Sequence, residues 1–212
     1  CSAVAGIDVH PLTFENWEKK IHREAEVFVQ ERYRGHTLDD SLMAKMKVEI
    51  EQFYVILHER GRRVHAIAEC MQRGTPYEVI PEDAPYIRGL RRFMDEADFQ
   101  SLGAETPVGS MQYQYGGRLD FLGIVRDQIA LVDIKTGVGV FDSHRLQVAG
   151  YSLALTEMYQ YPKHSGFILH LQPDTYELVE VDLELEIPRF LDCLKRYYTD
   201  GGSRSSSDNW RG

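Results

Sequence analysis

The spacing of apolar residues divides the chain into a helical first half and a second half in which strands and helices alternate. Apolar side chains recur every three or four residues from Leu12 to Arg34 and again from Leu42 to Met71, the period of amphipathic helices. Gly61 interrupts the second pattern, so it either lies inside one helix where another group approaches closely or separates two helices. A further helix is predicted over residues 84–99, after a loop that contains two prolines.

Strand-like alternation begins after Gly103. Three apolar runs bounded by glycine or polar turns are predicted as strands, followed by a helix over 141–160, two more strands and a last helix from about 187 to 198. Asp142 or Ser143 is the expected N-cap of the helix over 141–160. The third strand is apolar in both phases, which indicates helices on both faces of the sheet. The predicted fold is therefore α/β, with a mixed central β-sheet flanked by helices.

The order of these elements predicts the domain organisation. The chain has 212 residues, 43% of them hydrophobic, which is enough for one domain with a substantial core. We expect a single domain over residues 1–200, with a helical part at 1–100 and a sheet core at 101–200. The Gly- and Ser-rich segment 201–212 has the composition of a linker. Whether the chain belongs to a larger protein or complex stays open.

Charge and cysteine content narrow the class of partner. A formal net charge of -9 argues against a molecule that attracts polyanions over its whole surface, so a nucleic-acid site must be local, as in the basic cluster of Arg60, Arg62 and Arg63. Three cysteines without metal-finger spacing favour reduced thiols, and no apolar run is long enough for a membrane span. We expect an intracellular, cytoplasmic protein without a membrane partner; a mitochondrion or an infected host cell is also compatible.

Charged residues lie inside two of the most apolar predicted strands. Asp120 is in the second strand, and Asp133 and Lys135 share one face of the third with Ile129 and Leu131. If the polar connection at 126–128 makes these strands a hairpin, the two aspartates can lie side by side, where they repel each other unless a proton or a cation separates them. Mg²⁺ or Mn²⁺ takes such oxygen ligands, and a nearby ammonium can position water or stabilise charge on a phosphate. The pattern indicates hydrolysis of a phosphodiester.

The same residues resemble a known nuclease motif. Asp120, followed by Asp133-Ile134-Lys135, resembles the core of the PD-(D/E)XK nuclease superfamily, with Leu119 where that motif has Pro. Residues 61–151 resemble its RecB-like exonuclease branch, and the N-terminal segment more loosely resembles phage-type and mitochondrial genome maintenance exonucleases. The segments that carry the RecB-like resemblance are "RGRRVHAIAE" with His65, "GAETPVGSMQYQYGGRLDFLG" with Glu105, and "QVAGY" with Gln147 and Tyr151.

This resemblance implies a restriction-endonuclease-like αβββαβ core with N-terminal helical additions. It also implies one or two Mg²⁺ or Mn²⁺ ions and no iron–sulfur cluster, because only one cysteine, Cys193, follows the last motif. The implied catalytic residues are Asp120, Asp133 and Lys135, and the implied metal ligands are His65, Asp120, Asp133 and the backbone carbonyl of Ile134. Glu105 is a possible addition to this set, through water or a second ion. Substrate contacts are expected from Gln147, Tyr151, Arg62 and Arg63.

The expected activity is that of a metal-dependent deoxyribonuclease. We expect an exonuclease that acts on DNA ends or single strands, in DNA repair or recombination. Two alternatives stay open: an RNA endonuclease of the cap-snatching kind, and a nuclease-like module that binds nucleic acid or protein without cutting. Tyr151 is also interpretable as a core aromatic, and Glu105 as a charge at a strand end.

Overall fold

A computed structural model describes residues 29–37, 39–160 and 164–199 of the chain. The linker-like segment 201–212 lies outside the described residues. So does most of the helix predicted over 12–34, of which the structure describes a helical stretch at 29–32. The remaining elements, in chain order, are α1 (Asp40–Arg73), α2 (Ala84–Glu96), β1 (Gln100–Ser110), β2 (Tyr115–Val125), β3 (Gln128–Lys135), α3 (Asp142–Tyr159), β4 (Ser165–Gln172), β5 (Thr175–Val181) and α4 (Leu183–Thr199).

Helix α1 is continuous through Gly61. It begins at a capped terminus, where the Asp39 side chain accepts a 2.7 Å hydrogen bond from the Leu42 amide, and it ends at Gly74 in the left-handed conformation. A Cβ atom at Gly61 would lie 3.5 Å from the Thr136 side-chain oxygen, so the glycine lies where the end of β3 approaches the helix. Of the two interpretations of Gly61, the one within a single helix is confirmed.

The strands form one mixed sheet in the order β1-β2-β3-β4-β5. Only β3 and β4 are parallel, and they are connected through α3; the other neighbours are antiparallel. β2 and β3 form a hairpin whose two turn residues, Arg126 and Asp127, have φ of 50° and 63°, as a type I′ turn requires. The predicted mixed sheet and the predicted hairpin are both confirmed.

Helices cover both faces of this sheet. On one face, α1 and α2 contribute Val64, Leu90 and other residues to a core cluster that includes Val132 and Ile134 of β3. On the other face, α3 packs Val148 and its neighbours against Leu131 of the same strand. Burying each Leu or Ile side chain contributes about 1.5–3 kcal/mol. The apolar character of β3 in both phases therefore follows from burial on both sides.

Three predicted helix boundaries are wrong, and β1 begins at Gln100 rather than after Gly103. α2 ends at Glu96, where Asp98 adopts a positive φ of 47°, and α4 begins at Leu183, because the Asp182 side chain caps it by accepting a 3.1 Å bond from the Leu185 amide. The N-cap of α3 is Phe141 rather than Asp142 or Ser143. The Phe141 amide donates to His144 Nδ1 at 3.3 Å, so a side chain one turn into the helix satisfies this terminus.

Candidate metal centre

The β2–β3 hairpin brings the two strand aspartates together. Phe121 pairs with Val132, so Asp120 and Asp133 are the next residues along the two strands. Asp120 is partly exposed, and its Oδ2 accepts a 2.6 Å hydrogen bond from the backbone amide of Ile134 on the neighbouring strand. This bond across the hairpin holds the Asp120 carboxylate in one orientation.

Helix α1 delivers a histidine to the same carboxylate. Val64 and Ala68 pack into the core, which leaves His65 at the edge of the buried helix face. His65 Nδ1 lies 3.0 Å from Asp120 Oδ1. The two residues are 55 positions apart in sequence, so their contact depends on how α1 packs against the sheet.

Glu105 reaches the same position from β1 through an unusual backbone. Its neighbours Ala104 and Thr106 pair with Phe121 and Leu119, which places Glu105 opposite Asp120. Its φ of 50° is left-handed, a conformation that costs about 1–3 kcal/mol for a residue with a side chain. Among the described non-glycine residues with positive φ, it is the one that lies within a strand rather than beside a turn or element end. Arg118 Nη1 contacts its Oε2 at 3.1 Å.

His65, Glu105 and Asp120 together can hold a metal ion. Each offers one ligand atom, and these atoms lie within 4.8 Å of one another. All three are partly rather than fully exposed, so an ion bound there would be partly shielded from water. The structure thus brings together three residues that the sequence predicts as metal ligands.

Asp133 and Lys135 extend this centre into the core. They lie on the face that carries Ile129 and Leu131, as predicted, and Lys135 Nζ is 2.7 Å from Asp133 Oδ2. The ammonium is the charge partner of Oδ2, and no other donor reaches that oxygen within the described residues. Lys135 offsets part of the cost of burying this carboxylate, which is only 2% exposed, and a second cation nearby would offset more of it.

The pKa values of the four titratable groups of the centre shift in different directions. Burial raises the pKa of Asp133 to about 6, with the Asp120 charge adding to the shift and Lys135 opposing it. Burial would also raise the pKa of Asp120, but His65, Lys135 and the Ile134 amide outweigh it and hold that pKa below its ordinary value. For His65, burial acts to lower the pKa and the Asp120 carboxylate raises it further than burial lowers it. Burial, then Asp120, raises the pKa of Glu105.

The predicted substrate-binding residues have partners of their own. Gln147 Nε2 donates a 2.8 Å bond to the Tyr151 hydroxyl, and Tyr151 lies in the core cluster under α3. Arg62 is exposed and pairs with Glu59 at 2.8 Å, whereas Arg63 forms two bonds to buried Asp83. Contact of these four residues with a substrate stays a prediction.

The sequence interpretation missed Arg118, the partner of Glu105. Strand alternation carried the signal, because Arg118 and Asp120 are two residues apart on β2 and therefore point to the same side. The alternation could not predict the left-handed backbone conformation of Glu105, which turns its side chain toward Arg118 and Asp120.

Comparisons with known proteins leave the family open. No protein-family model matches the chain, and no curated protein matches it. The crystal structure of SSO0001 aligns with 92% of this chain and 88% of its own chain, at 13% identity and a TM-score of 0.38. That TM-score is too low for the likeness to bear on function. Within the described part of the chain, no helix has an apolar stretch long enough to cross a membrane.

Proposed function

We propose that this protein is a metal-dependent nuclease of the RecB-like PD-(D/E)XK type that hydrolyses DNA phosphodiester bonds. The observation that carries the proposal is the convergence of His65, Glu105 and Asp120, whose ligand atoms lie within 4.8 Å of one another. These residues come from α1, β1 and β2, and the resemblance assigns all three to the metal. Three independent elements meeting at one point support a built site more strongly than the loose Asp…Asp-x-Lys spacing does.

The proposed ion is Mg²⁺ or Mn²⁺, in one or two copies. Carboxylate oxygens with a single imidazole suit these hard cations, with Mn²⁺ the more tolerant of nitrogen. The two neighbouring carboxylates of Asp120 and Asp133 fit a cation in this neighbourhood, and the Ile134 carbonyl is the further ligand that the resemblance implies. When bound, such an ion would act as a Lewis acid on the phosphodiester.

Different side chains of the protein would orient the site, act at the phosphate and bind the substrate. Asp120, held by the Ile134 amide, is oriented before any ligand arrives, which lowers the entropic cost of assembling the site. Lys135, at the end of β3, would position the attacking water and stabilise negative charge on the phosphate. Gln147 and Tyr151 would contact the substrate on the α3 side, and Arg62 would meet its phosphates from α1.

The preference for DNA ends or single strands rests on the resemblance. The net charge of -9 supports local rather than global attraction of nucleic acid, which suits a strand threaded past one basic helix better than broad binding. RNA cleavage and binding without cleavage are the two outcomes that the test must separate from this proposal.

The test is cleavage of end-labelled single-stranded DNA, duplex DNA and RNA of one sequence, with Mg²⁺, Mn²⁺ or EDTA. We expect metal-dependent loss of DNA, with a product ladder that reports polarity, and no loss with Asp120→Asn. Asp192→Asn is a matched control, because Asp192 is an exposed aspartate on α4 and should leave the rate unchanged. Cleavage of RNA alone would favour the cap-snatching type. Metal-dependent DNA binding without product would favour a non-catalytic module.

A further inference from the structure

The chain leaves β3 directly after Lys135, and two side chains from distant elements hold it at that point. Arg60 Nη2 on α1 donates a 2.6 Å hydrogen bond to the carbonyl of Thr136. His170 Nε2 on β4 lies 2.9 Å from the carbonyl of Gly137. These two consecutive carbonyls are the first two beyond Lys135. We call the pair of contacts the strand-end clamp.

Both donors are themselves oriented. The Arg60 guanidinium lies over the Tyr86 ring, with 4.2 Å from its Cζ to the ring centroid. His170 is buried, and the amide nitrogen of Gln172 lies 3.3 Å from its Nδ1. Glu177 Oε2 also lies 3.7 Å from this Nδ1. Because a carbonyl oxygen only accepts, the contact with Gly137 requires a proton on Nε2.

Burying the Arg60 guanidinium costs free energy that its one hydrogen bond to a carbonyl does not fully offset. Its Nε is buried and has no hydrogen-bond partner within the described residues, so part of the guanidinium is desolvated without compensation. An apolar side chain over Tyr86 would fill this space without that cost. The arrangement is better explained by what the hydrogen bond holds than by the stability of α1.

What the clamp holds is the end of the strand that carries Lys135. The β3–β4 ladder ends at the pair Lys135 and His170, so no strand pairing supports the residues beyond it. The following sequence, Thr136-Gly-Val-Gly, contains two glycines and would otherwise be free to move. The position of the Lys135 ammonium beside Asp133 therefore depends on the clamp as well as on the sheet.

We propose that Arg60, with His170, is a positioning residue that fixes the Lys135 ammonium by holding the Thr136 and Gly137 carbonyls. This proposal rests on the nuclease function proposed above. Arg60 would act through Lys135 and not by touching the substrate. It should therefore affect turnover more than substrate affinity.

The first test needs no activity. Amide hydrogen exchange of residues 136–140 is compared between wild type, Arg60→Met and the control Arg196→Met, which removes an exposed arginine paired with Asp192 on α4. We expect exchange at least about tenfold faster in Arg60→Met and unchanged exchange in the control. Unchanged exchange in a folded Arg60→Met protein overturns the clamp, whatever the wild type does to DNA.

The second test asks whether Arg60 acts through Lys135. In single-turnover cleavage with Mn²⁺, Arg60→Met should lower the rate constant about 10- to 100-fold at unchanged apparent affinity for DNA. Arg60→Lys, which can still reach the carbonyl, should recover part of the loss. In a Lys135→Met background, Arg60→Met should change the residual rate less than about twofold. Additive losses overturn the positioning role, whereas a wild type that never cleaves overturns the nuclease and leaves the exchange result decisive for the clamp.

Discussion

Asp83 and Asp133 are equally buried aspartates with different surroundings. They are 1% and 2% exposed, respectively, and each lies within reach of one basic side chain. Asp83 accepts two bonds from Arg63, 2.6 Å from Nε and 3.0 Å from Nη2, so both of its oxygens are satisfied. Asp133 Oδ2 pairs with the Lys135 ammonium at 2.7 Å, and within the described part of the chain no second donor reaches that oxygen.

The difference shows how a structural charge is distinguished from a candidate functional one. Burial and charge are the same for both residues, and each pair includes one cation. The two residues differ in their contacts. Arg63 binds both carboxylate oxygens of Asp83, whereas Lys135 contacts one oxygen of Asp133, which also lies beside a second carboxylate, Asp120. The proposed metal ion would add a second cation beside Asp133, whereas the charge of Asp83 is already matched by Arg63.

The largest expected effect is on catalysis. Under the proposed function, replacing Lys135 by Met or Asp120 by Asn should lower the cleavage rate about a thousandfold or more, because Lys135 would act at the phosphate and Asp120 would hold the metal ion. Thermal unfolding of Asp120→Asn should stay close to that of wild type, whereas Lys135→Met should melt lower because it leaves the buried Asp133 carboxylate without its ion-pair partner. Near-normal cleavage by either folded variant would contradict the assignment of Asp133, Asp120 and Lys135 to a site.

The next effect is on stability, and it tests the comparison directly. Asp83→Ala should lower the free energy of unfolding by about 3 kcal/mol, the lower end for a broken buried pair because Arg63 is partly solvated. Asp133→Asn should change it by less than about 1 kcal/mol, since loss of the ion pair with Lys135 is offset by relief of repulsion from Asp120. Urea denaturation at constant pH measures both. Equal losses would remove the distinction between the two aspartates.

Metal binding should stabilise the folded protein through the centre that contains Asp120 and not through Asp83. At a concentration of about 100 times its Kd, Mn²⁺ should raise the free energy of unfolding by about 2.7 kcal/mol. The increase should disappear in Asp120→Asn and persist in Asp83→Asn, provided that variant remains folded. Melting temperatures with Mn²⁺ and with EDTA provide the measurement, and an increase that survives Asp120→Asn would place the ion elsewhere.

The smallest effect concerns the strained residue of the centre. Glu105→Gly should be more stable than Glu105→Ala by about 1 kcal/mol, because glycine adopts a positive φ without strain whereas alanine is strained in that conformation. Both variants should lose metal affinity to the same extent, since both lack the carboxylate. Chemical denaturation and metal titration of the pair separate backbone strain from ligand loss. A more stable Glu105→Ala would indicate that the left-handed conformation is not strained.

The sequence by itself determined the local parts of this arrangement. The period of two placed Asp133 and Lys135 on one face, and the short polar turn at Arg126 and Asp127 made the hairpin that brings Asp120 alongside. The apolar stripe of α1 was readable on both sides of Gly61, although the sequence left open whether one helix or two carry it. Each of these depends on side chains a few residues apart, for which backbone geometry sets the spacing.

Contacts between charges that are far apart in sequence depend on how whole elements pack. His65 meets Asp120 over 55 positions, and Arg60 meets Thr136 over 76, because packing of α1 against the sheet sets both distances. The sequence assigned Arg62 and Arg63 one role, yet helix rotation directs Arg63 to Asp83 and leaves Arg62 in solvent. The left-handed backbone at Glu105 likewise has no local signal. Such contacts are selected by the packing of whole elements, which periodicity along the chain does not encode.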